Sequence, residues 1–180
     1  AALPELQRLL TDPDSAVRYW AVLGHLMRGP TAVTSSEAAL RAALNDPSPY
    51  VRIAAARSVA QFGTAADLAP ALSVLGELAP PKTNGVFVAT AALDAIDALG
   101  LKAVSLHSLV RTMDPQGPSP DTRFNAHLPK LIDSYLFDAL EFDPEGAEAK
   151  APSLAEVRAL LERIANAQPA VYTAVAKGID

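Results

Sequence analysis

A stretch built on an Asp-Pro turn occurs twice in this chain, at residues 10–21 and 44–55, with an offset of 34 residues. Residues 6–29 and 40–63 are identical at eight of 24 aligned positions. The identical pairs are Leu6/Leu40, Leu10/Leu44, Asp12/Asp46, Pro13/Pro47, Val17/Val51, Arg18/Arg52, Ala21/Ala55 and Gly29/Gly63. Self-similarity at a period of 20–50 residues is typical of repeats that stack to bury a shared core. The repeat therefore predicts a solenoid or an array.

Apolar spacing and turn residues divide the rest of the chain into antiparallel helix pairs. The predicted pairs are 3–11 with 15–28, 36–44 with 49–62, 67–79 with 86–99, and about 101–113 with 125–140. Residues 30–36 are predicted to be a linker, and Pro80 to Gly85 an enlarged turn. The fold class is therefore all-α, an α-solenoid of about four antiparallel helix pairs.

Capping residues support these boundaries. Asp14 precedes the second helix, and Gly29 follows it as a left-handed cap. Thr34 and Glu37 have the spacing of a capping box. Ser48 is the predicted cap of the helix that opens with Pro49.

Periodicity also predicts which residues each second helix buries. The predicted faces are Val17, Trp20, Ala21, Gly24 and Met27 in the first pair, and Val51, Ala54, Ala55, Ser58 and Phe62 in the second.

The C-terminal part differs in composition. Residues 141–152 are acidic and contain Pro and Gly, which indicates a surface linker. Ser153 and Glu156 form a second capping-box pattern, and a capping helix is predicted at 153–167. We assign residues 1–140 to the solenoid and 141–180 to the linker, capping helix and tail of the same domain.

Composition excludes several functions. The net charge of −5 argues against nucleic acid as a partner, because binding to phosphates needs a basic surface. The chain has no cysteine, which rules out disulfides, thiol nucleophiles and cysteine-ligated zinc. No apolar run is long enough to predict a membrane span. The chain opens Ala-Ala-Leu without methionine, which indicates a processed product or an excised domain.

The repeated unit resembles the HEAT repeat, within the HEAT-like and ARM-type superhelices. The likeness rests on residues 12–29 and 46–63: an Asp-Pro turn, Val-Arg, an alanine-rich face and a closing glycine. The resemblance implies a structural polar ladder between repeats, formed by Asp12, Arg18, Asp46 and Arg52. Arg18→Ala is expected to cost about 1 kcal/mol or less if Arg18 lies largely at the surface, as exposed ion pairs do. The third repeat has Thr83 and Ala89 at the aligned positions, so the ladder is expected to stop after two rungs.

Three segments, residues 12–24, 92–103 and 123–132, are similar to the C-terminal helical extension of bacterial sulfatases. The sulfatase motif Cys/Ser-x-Pro-x-Arg is absent, since Tyr50 and Asp121 stand where proline is needed. The resemblance implies that this chain is the non-catalytic part, that calcium and formylglycine belong only to the absent sulfatase domain, and that the protein is periplasmic or secreted. Its partner would be its own missing catalytic domain or another protein. The alternative is a free-standing interaction module that binds along the concave surface of the second helices.

Residues capable of catalysis are few, and none forms a known motif. His25, His107 and His127 lack a second metal ligand at helical spacing. His25 is expected in solvent or in a local hydrogen bond, and Asp94 with Asp97 on a solvated helix face. We therefore predict no catalytic, cofactor-binding or metal residues, and no enzyme activity in this chain.

One aromatic and basic cluster is a candidate interface, made by Tyr19, Trp20 and Arg28. Tyr, Trp and Arg dominate the energetics of protein interfaces. The competing interpretation is that Trp20 fills the space between the first two helix pairs.

Overall fold

The computed structural model describes residues 2–118, 128–130 and 132. These residues form helices joined by turns, with no strand among them, which confirms the all-α solenoid. They all belong to the first of two units into which the chain divides, Ala1–Phe142 and Asp143–Asp180. The predicted linker and capping helix within 141–180, and most of the helix predicted at 125–140, lie outside the described residues.

The described helices run in chain order as three repeats and the start of a fourth. They are α1 Leu3–Leu9, α2 Ser15–Met27, α3 Pro30–Ser35, α4 Glu37–Ala42, α5 Pro49–Phe62, α6 Ala65–Leu78, α7 Pro81–Asn84, α8 Val86–Leu99 and α9 His107–Thr112. Short 3₁₀ helices follow α4 at Ala43–Asn45 and α8 at Gly100–Leu106. We call α2, α5 and α8 the second helices, because each closes one repeat.

Helix α5 lies at the centre of the core. It contacts α2 on one side and α6 and α8 on the other, and it also packs on α3 and α4. Eight of its residues are buried: Val51, Ile53, Ala54, Ala55, Ala56, Ser58, Val59 and Ala60. Alanine at four of these positions lets neighbouring helices approach closely without loss of helix propensity. Because α5 contacts helices of the first and third repeats, its buried residues join the repeats into one core.

The predicted linker at 30–36 is wrong, because Pro30–Ser35 forms the helix α3. Gly29 has a φ of 80° and Pro30 follows it at the first helical position, which are the usual end and start signals of two successive helices. The α3 residues Ala32 and Val33 are buried. The predicted capping box of Thr34 and Glu37 is also wrong, since the Thr34 hydroxyl donates to the Pro30 carbonyl at 2.9 Å inside α3.

The third repeat begins earlier than predicted. Helix α6 starts at Ala65 behind a capping box that Thr64 and Asp67 form. The enlarged turn between Pro80 and Gly85 contains the single-turn helix α7. Helix α8 has the predicted bounds, whereas the helix predicted at 101–113 is a 3₁₀ segment followed by the shorter α9.

The two glycines that the repeats share have different physical roles. Gly29 adopts a left-handed φ, but Gly63 has a φ of −76° that any residue can adopt. A Cβ on Gly63 would lie 2.4 Å from the Val59 carbonyl oxygen and 2.7 Å from an oxygen of Asp67. Glycine at position 63 is therefore required by the close approach of α5 and α6.

The predicted buried face of α2 is confirmed at Ala21, which is buried, and wrong at Trp20 and Met27, which are exposed. The buried residues are Ala21, Val22 and His25, because the second repeat packs there. Trp20 is 66% exposed and Met27 81% exposed. Trp20 therefore does not fill the space between the first two helix pairs.

Candidate interaction surfaces

Arg18 joins the first repeat to the second. Its Nε donates to Asp46 Oδ2 at 2.7 Å, and Nη2 donates to Asp46 Oδ1 at 2.8 Å. Its Nη1 donates to the carbonyl oxygens of Asp12 and Pro13 at 2.8 and 3.0 Å. The Arg18 side chain is only 14% exposed and that of Asp46 8%, so Arg18 does not lie largely at the surface. The hydrogen bond from Arg18 holds the pKa of Asp46 below its ordinary value.

The turns that carry Asp12 and Asp46 have the same local geometry. Asp12 Oδ1 accepts the backbone N–H of Asp14 at 2.9 Å, and Asp46 Oδ1 accepts that of Ser48 at 2.8 Å. Only Asp46 also receives an arginine from a preceding repeat. Within the described part of the chain, the Asp12 carboxylate forms no ion pair, and Asp12 contributes a backbone carbonyl to Arg18.

The different contacts of Asp46 and Asp12 can be tested with a matched pair of variants. Asn keeps the side-chain oxygen that closes the turn, so both Asp46→Asn and Asp12→Asn remove the negative charge without opening the turn. At position 46 the change also removes Oδ2, the acceptor of Arg18 Nε. We expect Asp46→Asn to lower the free energy of unfolding by about 2 kcal/mol, since Arg18 loses a partly buried charged partner. Asp12→Asn should change it by less than about 0.5 kcal/mol. Urea titrations of both variants measure the difference, and equal losses would contradict the assigned geometry.

Arg52 has the position of Arg18 one repeat later but takes a different partner. Its Nη1 and Nη2 donate to the two carboxylate oxygens of Glu77 on α6, at 3.1 and 2.7 Å. Its Nε donates to the Leu44 carbonyl at 3.1 Å. The third repeat lacks the turn aspartate, and α6 supplies a carboxylate in its place. Arg52 lowers the pKa of Glu77 from its ordinary value.

A second contact between repeats 2 and 3 is a polar cluster at the start of α6, in which Asp67 is buried and Arg41 is exposed. Arg41 of α4 donates to both Asp67 and Glu37. Asp67 Oδ2 also accepts the backbone N–H and the hydroxyl of Thr64, at 2.7 and 2.8 Å. Asp67 is 3% exposed, and these hydrogen bonds, Arg41 foremost, lower its pKa from 3.8 to about 2. The Thr-x-x-Asp spacing is visible in the sequence, but the pairing of residues 41 and 67 is not.

The predicted interface residues lie along α2 and at its end. The rings of Tyr19 and Trp20 meet edge to face with centroids 5.7 Å apart. Tyr19 is partly buried, whereas Trp20 and Arg28 are exposed. Arg28 Nη1 donates to the Gly24 carbonyl at 3.0 Å, which holds its guanidinium against the helix end. The structure thus places Trp20 and Arg28 where a partner could reach them.

The other second helices also expose one aromatic side chain each. Tyr50 on α5 is 41% exposed, and Phe87 on α8 is 39% exposed. These residues are 37 positions apart, which is also the spacing from Gly63 to Gly100, so they hold the same position in successive repeats. Sequence analysis missed them because their equivalent in the first repeat is Ala16.

A groove with a volume of about 580 Å³ lies between α6 and the 3₁₀ segment after α8. Its lining includes Leu68, Leu72, Gly76 and Leu106, with Lys102 at one side. The Lys102 ammonium donates to the carbonyls of Ala60 and Gln61 at 3.1 and 2.7 Å, so it is engaged with the end of α5. Small-molecule sites need several polar groups that converge on the ligand, and this apolar groove offers few.

The structure describes four of the five residues considered for catalysis. His25 is fully buried, and its Nδ1 lies 2.8 Å from the Ala21 carbonyl oxygen, so of the two expected environments, solvent or a local hydrogen bond, the second is confirmed. Asp94 and Asp97 are exposed on α8, His107 is partly buried, and His127 lies outside the described residues. Across residues 2–118, 128–130 and 132, no three His, Asp or Glu side chains gather as metal ligands.

Comparisons with known proteins bear on the fold. A family model described as HEAT repeats matches residues 6–96, about half of the chain. No curated protein and no solved structure matches the chain. None of the described helices combines the length and the apolar character that crossing a membrane requires.

Proposed function

The chain belongs to the HEAT-repeat family, and from this premise we propose that it is a non-catalytic scaffold that binds another protein along its second helices. The observation that carries the proposal is the exposure of Tyr50 and Phe87 at the same repeat position, with Trp20 exposed on α2. Contacts from α2 to α5 and from α5 to α8 place the three helices side by side. A partner helix or extended peptide that crosses α5 and α8 at this position would meet both Tyr50 and Phe87.

The energetics of protein interfaces favour Tyr50 and Phe87 as the residues that anchor a partner. Aromatic side chains supply large apolar contact area at little conformational cost and are enriched at interface hot spots. A repeat stack needs no exposed aromatic residue for its own stability, because each helix buries its face on its neighbours. Tyr50 and Phe87 are therefore the residues on which binding should depend most.

We expect the Tyr50→Ser, Phe87→Ser double variant to bind its partner at least about 30-fold more weakly, since two anchors contribute about 1 kcal/mol or more each. The partner is first identified by photo-crosslinking from position 50 or 87, and its affinity for the purified chain is then measured by calorimetry. Leu101→Ser is the matched control, because Leu101 is 52% exposed outside the second helices. Unchanged affinity in the double variant would refute this binding surface.

A second candidate is more specific: the scaffold is the C-terminal extension of a sulfatase-type hydrolase and its partner is the catalytic domain of the same protein. The similarity of residues 12–24, 92–103 and 123–132 to that extension favours it. The test is the sequence of the parent gene. A Cys/Ser-x-Pro-x-Arg segment upstream would support the assignment, and an upstream reading frame without one would exclude it.

A further inference from the structure

One arginine of α5 has no partner in the part of the chain that the structure describes. Arg57 is partly buried, its Nε is fully buried, and its guanidinium forms no hydrogen bond or ion pair with a described residue. Every other arginine from α1 to α5 donates to a carboxylate or to a backbone carbonyl: Arg8, Arg18, Arg28, Arg41 and Arg52. Arg57 therefore differs from the arginines that hold the fold together.

A second unpaired polar atom lies one helical turn further along α5. The side-chain oxygen of Gln61 is buried and accepts no hydrogen bond from a described residue. Residues four apart lie on the same face of a helix, so the Arg57 donor and the Gln61 acceptor are neighbours. Buried polar groups without partners destabilise a folded chain. A molecule that binds this face can supply both partners and gain hydrogen bonds that the described residues do not make.

The repeat alignment shows that Arg57 is not part of the repeat pattern. Its equivalent is Leu23 in the first repeat, at an offset of 34, and Asp94 in the third, at an offset of 37. The arginines that join successive repeats hold a different position, the one that Arg18 and Arg52 share. Stacking of the repeats therefore does not need a cation at position 57.

Arg57 shares its face of α5 with Tyr50, which is 41% exposed. Seven residues make two turns of an α-helix, so the Cα atoms of Tyr50 and Arg57 are about 10 Å apart along the helix. Long side chains in a helix lean toward its N-terminus, which directs Arg57 toward the Tyr50 side. We call Tyr50, Arg57 and Gln61 the α5 site. It combines an aromatic ring, a guanidinium and an amide oxygen on one face.

We propose that the α5 site binds a segment of the partner protein that carries an Asp or Glu side chain about 10 Å from an apolar side chain. The carboxylate accepts hydrogen bonds from Arg57, the apolar side chain packs on Tyr50, and an N–H of the segment donates to Gln61. A planar guanidinium matches a carboxylate with two parallel hydrogen bonds, and such charge-assisted bonds are the strong ones. The inference rests on the proposed scaffold function and deepens it by naming the chemistry that the partner carries.

A random peptide library displayed on phage provides a probe that needs no identified partner. The net charge of −5 would by itself favour basic peptides, so selection of acidic ones by the full chain requires a local cation. We expect the selected peptides to share an acidic residue near an apolar one. Replacing that acidic residue with Gln should weaken binding about tenfold or more, as expected for a hydrogen bond to a charged group. Arg57→Glu should reverse the preference, so that the Lys version of the peptide binds best.

Arg57→Met separates binding from folding. Methionine keeps the length of the apolar stem and removes the charge and the donors. Because Arg57 has no partner among the described residues, we expect the urea midpoint to stay unchanged or to rise. Affinity for the acidic peptide should fall about tenfold or more. Arg111→Met is the matched control, since Arg111 is exposed on α9 outside the second helices, and it should change neither quantity.

Two kinds of result would overturn the proposal. Selected peptides without an acidic residue, or acidic peptides that bind Arg57→Met as tightly as the native chain, would remove the carboxylate as the ligand. A loss of stability in Arg57→Met as large as that in Asp46→Asn would show that Arg57 holds the fold instead. The Tyr50→Ser, Phe87→Ser variant separates this failure from that of the proposed function. If the double variant loses the crosslinked partner and Arg57→Met does not, the binding surface stands and only the carboxylate contact is excluded.

Discussion

Ala55→Arg is expected to abolish cooperative folding of this chain. Ala55 is fully buried in α5, the helix that contacts the first, second and third repeats. An arginine at position 55 needs space that the close-packed helices do not provide, and it brings a charge with no partner. We expect a loss of about 4 kcal/mol or more, which approaches the whole stability of many domains.

Circular dichroism and urea titration measure this effect. Ala98→Arg is the control, since Ala98 is exposed near the end of α8 and the same residue change should cost less than about 0.5 kcal/mol there. A cooperative transition of Ala55→Arg close to that of the native chain would show that α5 does not lie at the centre of the core.

Asp67→Ala is expected to produce the second-largest loss of stability, about 3 kcal/mol. The change removes the acceptor of Arg41 and the half of the capping box in which Asp67 accepts the Thr64 backbone N–H, together with the hydrogen bond from the Thr64 hydroxyl. A lost cap alone costs about 1 kcal/mol, and a buried polar network that loses its charged member costs more. Urea titration measures the total. Asp97→Asn, at an exposed position of α8, is the control and should have little effect.

The lowered pKa of Asp67 predicts that the stability of the fold depends on pH. The pKa of Asp67 is lowered from 3.8 to about 2 in the folded chain, so the unfolded chain binds its proton first as pH falls. Asp67 therefore stabilises the fold above about pH 4, and that contribution is lost as pH falls toward about 2. We expect the stability difference between the native chain and Asp67→Asn to narrow across this range. A difference that stays constant from pH 5 to pH 2 would contradict the ion pair between Arg41 and the buried Asp67.

The repeat in the sequence was sufficient to predict the all-α solenoid and the bounds of α5 and α8. Local signals that mark helix ends, such as Pro49 and the closing glycines, are strong enough to be read directly. Helix α3 was missed because its six residues include two threonines and two residues common in turns, which gives the segment a weak helix propensity. Burial of Ala32 and Val33 outweighs that weak helix propensity.

The contacts between repeats were less predictable. Asp12 and Asp46 are identical in sequence and in turn geometry, yet among the described residues only Asp46 receives an arginine from another repeat. Trp20 was placed inside the core because periodicity defines an apolar stripe but not which neighbour covers it. Arg41 and Asp67 meet only because α4 and α6 lie side by side, which no local pattern encodes. Residues that are identical in two repeats therefore make different contacts, because different helices lie beside them.

Native-state hydrogen exchange tests the central claim, that α5 lies at the centre of the core whereas α2 of this chain is less buried. Amides buried on all sides exchange through the largest openings, and those of less buried helices exchange through smaller ones. We predict the slowest exchange in α5, with α2 exchanging measurably faster at equivalent positions, for example residue 20 against residue 54. Equal protection of α2 and α5 in the free chain would contradict it.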